Sequence, residues 1–386
     1  MRFLHTSDWH LGRLFHGVHL TDDQAHVLDQ VVCLAAESRL DAVIVAGDVF
    51  DRAVPPPDAV SLLDDVLSRL VLQARVPVVL VAGNHDSGQR LAFGARLLAG
   101  QGLHVVGTLA GAWEPILFSD AAGPVALSPL PFAEPIVVRQ ELGRDGLGDH
   151  DAAMAALVDE LEARGVGAAT RRTILVAHTL VVGAQQSDSE RPLTVSGGGG
   201  VQAARFAPFA YVALGHLHRA QAIGRESLRY SGSLLKYSFS EAAQTKSASI
   251  VEMGSTGDCR VETIPLVPRR DVRCLEGSLP EILAGPRLGE SREDYLKITV
   301  RDEGPILDLA GKVRQVYPNV LAVERPPLVA PAGHASVGGD LGGRSDEELF
   351  AAFFTEVTGR QLGAEELAVY HEAVASLRRL EREVET

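Results

Sequence analysis

The sequence has 386 residues, 46% of them hydrophobic and 22% charged. That is enough chain for roughly two to three domains around sizeable cores, and no apolar run approaches the ~18 residues of a membrane span. A formal net charge of −14 argues against a uniformly basic surface that coats nucleic acid, but leaves room for nucleic acid held by bound metal ions and a local arginine patch. The three cysteines, Cys33, Cys259 and Cys274, are scattered without a Cys-x-x-Cys pair and read as reduced core thiols of a cytoplasmic protein. Asp8 and His10 interrupt what would be the apolar segment of a signal peptide.

In chain order, Arg2 to Thr6 is a short strand-like run followed by Ser7-Asp8-Trp9-His10. Gln24 to Leu40 reads as a helix, with apolar residues at helical spacing from Val27 to Leu34. Ala42 to Ala46 is a Val/Ile-rich buried strand ending in Gly47-Asp48. Pro55 to Pro57 mark a turn, and Asp58 is placed to cap a helix over Ala59 to Leu72. That helix carries Leu62, Leu63, Val66, Leu67 and Leu70 as one broad apolar stripe. Val76 to Ala82 is a third strand, followed by Gly83-Asn84-His85-Asp86 and a helix over Arg90 to Ala99. Strand and helix thus alternate, the pattern of an α/β layer fold.

From His104 to Leu130 the text changes to short strands with Gly and Pro punctuation, and Asp149 to Arg164 is helical again. Thr173 to Ala177 is a buried strand ending in His178, and Tyr211 to Leu214 is another, ending in Gly215-His216-Leu217-His218. The run Gly197 to Gly200 lacks a following Lys-Ser/Thr and reads as a loop rather than a phosphate cradle. Tyr230 to Ser240 and Ser247 to Met253 are expected to be antiparallel strands that complete a second sheet. A boundary falls near Pro265 to Pro268. Leu296 to Val300, a helix over Ile306 to Val316, and Val320 to Glu324 then form a small strand-helix-strand module. Pro326 to Gly343 is a Pro/Gly/Ala-rich linker. Beyond it, Ser345 and Glu348 form a capping box. Two amphipathic stripes follow: Leu349, Phe350, Phe353, Phe354 and Val357, then Leu367, Tyr370, Val374, Leu377 and Leu380.

One Asp or His after a strand is usually a turn residue. Here several strands deliver such residues together: Asp8, His10, Asp48, Asn84, His178, His216 and His218. Seven O and N donors suffice for two divalent ions if one carboxylate bridges, and Asp48 is the natural bridge. Imidazole and carboxylate without thiolate suit Mn, Fe or Zn. Two ions ~3.5–4 Å apart clamp the attacking and leaving oxygens of an in-line phosphoryl displacement. His85 points away from its neighbour Asn84 and can act as general acid, with Asp86 placed to orient it. His5, His16, His19, His26, His104, His150, His334 and His371 lack this context; most read as surface or satisfied structural residues, with His16 left open.

Asp8-x-His10, Gly47-Asp48-x-x-Asp51-Arg52, Gly83-Asn84-His85-Asp86, a lone His178 and Gly215-His216-x-His218 together resemble calcineurin-like metallophosphoesterases. HTSDWHLGR at the start, AGDVFDRAVPP, AGNHDS and SGSLLKYSFSE resemble one branch, the SbcD family of bacterial nuclease subunits, which work with the coiled-coil ATPase SbcC. The resemblance implies a two-sheet β sandwich flanked by helices over residues 1–265. A small α/β capping domain for DNA recognition would occupy 266–325, a flexible linker 326–344, and a helical SbcC-binding tail 345–386. It implies two Mn²⁺ per chain, with Mg²⁺, Fe²⁺ or Zn²⁺ as alternatives. The activities would be double-strand 3′-to-5′ exonuclease and hairpin endonuclease under ATP control, on double-stranded DNA ends and hairpins, in a cytoplasmic, nucleoid-associated complex. A homodimer through the helices near Leu62–Leu70 and Phe93–Leu97 is expected, against the alternative that both stripes pack inward. The tail residues 345–380 are expected to hold SbcC, against the alternative that they fold back on their own chain. Two further readings stand beside the nuclease: a phosphoesterase for small phosphodiesters or phosphoproteins, and a non-catalytic scaffold.

Overall fold

The computed structural model describes residues 1–168, 170–193, 199–302, 306–325 and 345–384, with the side chains of 356–357 and 376–384 excepted. The linker expected over 326–344, Gly197 and Gly198 of the glycine run, and the side chains of Val357, Leu377 and Leu380 lie outside the described residues.

Alternation along one strand sets up the layers. In Ala42–Ala46, Ala42, Ile44 and Ala46 join a core shared with Ile174, Val176 and Leu214, whereas Val43 and Val45 join Val27, Leu28, Val31, Leu63 and Val66 of two helices. A strand covered on both faces reads as an unbroken apolar run, which is what this sequence shows. The first sheet orders Cys259–Pro265, Ser247–Met253, Arg2–Thr6, Ala42–Ala46, Val78–Val81 and Leu103–Val106. Its last four strands are parallel. The second sheet orders Gln221–Ile223, Arg225–Tyr230, Tyr211–Gly215, Thr173–His178, Gly123–Leu130 and Ile116–Asp120, with the four central strands parallel. The architecture is the expected two-sheet sandwich flanked by helices, and the parallel strands open their carboxyl ends toward one edge, where α/β folds place ligands.

A third, three-stranded parallel sheet of Val272–Gly277, Tyr295–Val300 and Val320–Glu324 has its own small core of Leu296, Ile298, Val300, Val313 and Tyr317. It is tied to the sandwich through a buried carboxylate. Tyr295 Oη donates to Asp23 Oδ2 at 2.8 Å, and Arg270 Nη1 donates to the same carboxylate at 3.2 Å. In the tail, Asp346–Thr358 starts on the Ser345/Glu348 capping box and ends at left-handed Gly359; Ala364–Val384 follows. Phe350 stacks on Tyr370 at 4.4 Å and His371 Nε2 bonds Glu347 at 2.9 Å, so the two helices contact each other.

Several expectations are corrected. The first helix is Thr21–Glu37 rather than Gln24 to Leu40, because Asp22 and Asp23 favour the positive end of its first turn. Pro56 occupies the N-cap position of the helix Pro57–Ser68, which therefore starts before Asp58; Pro57 suits its first turn, and Asp58 instead accepts from Thr21 Oγ1 at 2.9 Å. Arg90 to Ala99 is not one helix. Gly94 at φ +74° breaks it into two short turns, Gly88–Leu91 and Ala95–Leu98. Tyr230 to Ser240 is not a strand: the chain leaves the second sheet at Tyr230 and turns through Phe239–Glu241. Ser247–Met253 joins the first sheet, not the second. The strand Val272–Gly277 was missed. The cysteines are free, but Cys33 and Cys274 are exposed rather than core thiols. Leu63, Val66 and Leu70 of the expected dimer stripe pack inward; the exposed apolar residues are Val54, Val60, Leu72, Phe93 and Leu97.

The sheets approach closely at the functional edge. A Cβ on Gly215 would lie 1.8 Å from the Ala46 carbonyl oxygen across the sandwich. Gly215→Ala is therefore expected to destabilise the chain by roughly 2–4 kcal/mol in denaturant titrations. Gly148→Ala, where a Cβ meets nothing within 4 Å, should shift stability by about 0.5 kcal/mol or less. Equal midpoints for the two variants would contradict this packing.

Candidate metal centre

Each residue of the cluster follows a parallel strand and is set by local backbone geometry. Asp8 and His10 follow Arg2–Thr6, Asp48 follows Ala42–Ala46, Asn84 and His85 follow Val78–Val81, His178 ends Thr173–His178, and His216 and His218 follow Tyr211–Gly215. The first two loops run side by side, with Asp8 N donating to Gly47 O at 3.0 Å and His10 N to Asp48 O at 2.9 Å. Asp8, His10, Asp48 and His216 all have positive φ, at 52°, 47°, 50° and 107°. Left-handed backbone at non-glycine residues is uncommon, and it aims these side chains inward. Gly47 at φ +92° leaves the space His178 needs, since a Cβ there would lie 2.3 Å from His178 Nδ1.

The side chains converge on Asp48. Its Oδ2 lies 3.5 Å from His178 Nε2, 3.6 Å from His10 Nε2 and 3.9 Å from His85 Nε2. Asn84 Oδ1 is 2.9 Å from His178 Nε2 and 3.2 Å from His216 Nδ1. His10 Nε2 and His218 Nε2 are 3.0 Å apart. Asp8 accepts from the His216 backbone N–H at 3.0 Å. All seven expected ligands thus meet at one edge. Asp8, His10 and His218 form one set of donors within 4.8 Å of one another, and Asp8, Asp48 and His178 form a second.

Burial governs the charges. It would raise the Asp48 carboxyl, yet His178, His10 and His85 hold it well below the usual carboxylate range. Burial raises Asp8, with His178 opposing and Asp48 reinforcing the shift. Burial would lower His178, but Asp48 and Asp8 lift it to about 9. Burial lowers His10 to about 3 against the pull of Asp51, and lowers His216 and His218 as well. Neutral imidazoles are the form that ligates metal. The donor set of hard oxygens and imidazole nitrogens fits two divalent cations once His178 gives up its proton.

His85 has a different partner from the one expected. Its Nδ1 donates to the Asp51 carbonyl at 2.8 Å, which leaves Nε2 toward Asp48. Asp86 does not orient it. The Asp86 carboxylate accepts from the backbone of Val49, Phe50 and Gly83 and so fastens the Asp48 loop to the Asn84 loop. Asp51, three residues beyond Asp48, turns its carboxylate toward His10 Nδ1 at 3.5 Å and accepts from Arg13 Nη1 at 2.9 Å. Ser189, Glu190, Glu241 and Lys246, which surround His218, were missed. Only Glu241 had any sequence signal, as the end of SGSLLKYSFSE. Of the remaining histidines, His5 is buried and satisfied by Tyr211 Oη and Leu214 O. His16 sits in the loop near Phe239, apart from the cluster.

A family model described as calcineurin-like phosphoesterase matches residues 1–125, which include Asp8, His10, Asp48, Asn84 and His85. The SbcD C-terminal model, described as type 5 capsule protein repressor C-terminal domain, matches residues 268–358. Among solved structures, the chain is similar to TT1561 of Thermus thermophilus at 15% identity, over 69% of this chain and 99% of that one, with a TM-score of 0.40. It is similar to a dimetal phosphatase from Danio rerio at 15% identity, over 69% and 99%, with a TM-score of 0.42. It is also similar to calcineurin-like phosphoesterase YfkN from Bacillus subtilis at 13% identity, over 69% and 90%, with a TM-score of 0.35. With one family model on the strand ends that carry Asp8, His10, Asp48, Asn84 and His85 and the other on the three-stranded sheet and the first tail helix, the chain belongs to the SbcD branch of the calcineurin-like metallophosphoesterases, and is a phosphodiesterase-type hydrolase.

Proposed function

We propose that this chain is a Mn²⁺-dependent DNA nuclease, a double-strand 3′-to-5′ exonuclease and hairpin endonuclease, acting in an ATP-regulated complex with SbcC. The observation that carries the reading is the pairing, in one chain, of a buried two-carboxylate, four-imidazole cluster with an SbcD C-terminal domain. In this reading Asp8, His10, Asp48, Asn84, His178, His216 and His218 would hold two divalent ions, which would supply positive charge to the attacking and leaving oxygens of a phosphodiester. His85 gives the leaving oxygen its proton. The Asp51 carbonyl can only accept, so Nδ1 keeps its hydrogen and Nε2 is the nitrogen that exchanges a proton. Cleavage of end-labelled duplex and hairpin DNA with Mn²⁺, with and without SbcC and ATP, tests the reading. Cleavage of bis-p-nitrophenyl phosphate without DNA cleavage would favour a small-molecule phosphoesterase and overturn it.

The unit boundaries follow the same reading: a nuclease unit over 1–265, a DNA-facing cap over 266–325, and an SbcC-binding tail over 345–386. A homodimer would use the exposed Val54, Val60, Leu72, Phe93 and Leu97, which rim or adjoin an apolar groove of about 650 Å³. In the tail, Phe350 is taken up by Tyr370, whereas Phe353 is 61% exposed and free to anchor a partner. No helix among the described residues is long and apolar enough to cross a membrane.

His85→Ala should keep two Mn²⁺ and lose cleavage by ~10²–10⁴-fold, the usual worth of a general acid. Asp48→Ala should lose metal as well. Calorimetry that finds both variants binding two Mn²⁺ normally would contradict these roles.

Ion uptake should also release protons. His178 carries a proton up to about 9 in the ion-free chain, whereas a ligand nitrogen must be bare. Affinity for Mn²⁺ should therefore weaken as pH falls from about 9. Near pH 7.5 the binding heat should vary with the buffer's ionisation enthalpy. Identical heats in PIPES and Tris, after correction for each buffer's own Mn²⁺ binding, would contradict this.

Deleting residues 341–386 should leave Mn²⁺-dependent cleavage and a dimeric mass intact while abolishing co-purification with SbcC. Unchanged co-purification would refute the tail assignment. A monomer mass for the full chain at micromolar concentration would refute the paired surface.

A further inference from the structure

His218 is held differently from the other imidazoles of the cluster. It is 1% exposed, and its Nδ1 lies 2.6 Å from Ser189 Oγ. The same Ser189 hydroxyl bonds Glu241 Oε1. Glu241 is fully buried, and its Oε2 is met by Lys246 Nζ at 2.5 Å. Lys246 also donates to the His218 carbonyl at 2.8 Å.

Proton counting fixes the direction of each bond. A buried carboxylate against a buried ammonium is ionised and can only accept. Ser189 has one proton, so it donates that proton to Glu241 and can only accept from His218. Nδ1 of His218 therefore carries the hydrogen, and Nε2 turns a bare lone pair toward His10 Nε2 at 3.0 Å. The neighbouring Glu190 strengthens the attachment, since its Oε1 accepts from the His218 backbone N–H at 2.9 Å. Arg13, which pairs with Asp51, also reaches the Ser189 carbonyl at 3.4 Å.

We propose that Ser189, held by Glu241, is a positioning residue that fixes the tautomer of His218 for metal binding, so that seating of the segment 187–190 and ion affinity at His218 are linked. The proposal rests on the two-ion reading of the site. The segment belongs to none of the strands, and it falls between the stretches matched by the two family models. A carboxylate behind a ligating histidine is a common way to orient the ring. Here a serine hydroxyl relays that effect from Glu241, whose Oε1 lies 3.6 Å from His218 Nδ1 and so short of a direct hydrogen bond, and the ring is held while the segment carrying Ser189 is in place. Linkage is reciprocal: whatever seats the segment strengthens ion binding, and the ion protects the segment.

The test uses the full chain and Mn²⁺ alone. Ser189→Ala should bind one of the two ions about 10–100-fold more weakly, the usual effect of losing such a partner, and the other within about twofold. Ser189→Thr, which keeps the hydroxyl, should bind both nearly as the wild type does and keep the melting temperature of the ion-free chain, whereas Ser189→Ala, which takes a donor from buried Glu241, should lower it modestly. Nitrogen-15 histidine spectra of the ion-free wild type should place the His218 proton on Nδ1, and Ser189→Ala should lose that preference. A proton on Nε2 in the wild type, or a Ser189→Ala variant that binds both ions with wild-type affinity, would overturn the proposal. A wild-type chain that takes up no Mn²⁺ would instead overturn the proposed function.

Discussion

Burying a carboxylate is costly unless donors and opposite charge meet it. The Asp48 side chain is 2% exposed and is met from three other loops at once: by His10, by His178, and by the His85 backbone N–H at 2.9 Å on Oδ1. This constraint orders the whole edge of the sandwich. The loops after the parallel strands must lie within a few ångströms of one another, and each is fastened to the next. His10 N bonds Asp48 O, Asp86 ties the Asp48 loop to Gly83, and His178 Nδ1 reaches Ala46 O at 2.9 Å.

The rest of the fold makes that convergence possible in the plain sense that it keeps the strand ends still. Both faces of Ala42–Ala46 are covered, one by the second sheet and one by helices, so the strand cannot shift without exposing apolar surface. The left-handed backbone of Asp8, His10, Asp48 and His216 costs roughly 1–2 kcal/mol per residue. That strain is concentrated at the edge and offset by packing elsewhere, as is usual where a backbone is held for function. The three-stranded unit is attached through Asp23, Tyr295 and Arg270, away from the cluster itself. Between them lies the segment from Lys236 to Lys246. It bonds Asp271 at one end and surrounds His218 at the other, so the three-stranded unit and the candidate metal site share one stretch of chain.

Much of this was legible in the sequence because it is written in strand ends. Short Val/Ile runs mark buried parallel strands, and Asp or His just beyond them marks the edge. Asp8, His10, Asp48, Asn84, His178, His216 and His218 are all of that kind, and all meet. What was not legible comes from loops with no period. Ser189 and Glu190 sit in a stretch with neither helical nor strand pattern, and only the fold brings them against His218. Asp86 looked like the orienter of His85 because it is its neighbour in sequence. Backbone N–H groups of Val49, Phe50 and Gly83 took it instead, since a buried turn must satisfy its donors. The helix over Arg90 to Ala99 failed at Gly94, whose left-handed conformation outweighs the helix-forming residues around it. Of the broad Leu62–Leu70 stripe, Leu63, Val66 and Leu70 enter the core that also holds Val27, Val31 and Val78, and Leu62 and Leu67 are partly buried beside them.

The central claim is that this edge holds two ions with Asp48 between them. Anomalous diffraction from crystals grown with Mn²⁺ tests it most directly. The account predicts two manganese peaks ~3.5–4 Å apart, with Asp48 contacting both, Asp8, His10 and His218 on one, and Asn84, His178 and His216 on the other. A single peak, or two peaks of which neither touches Asp48, would contradict it.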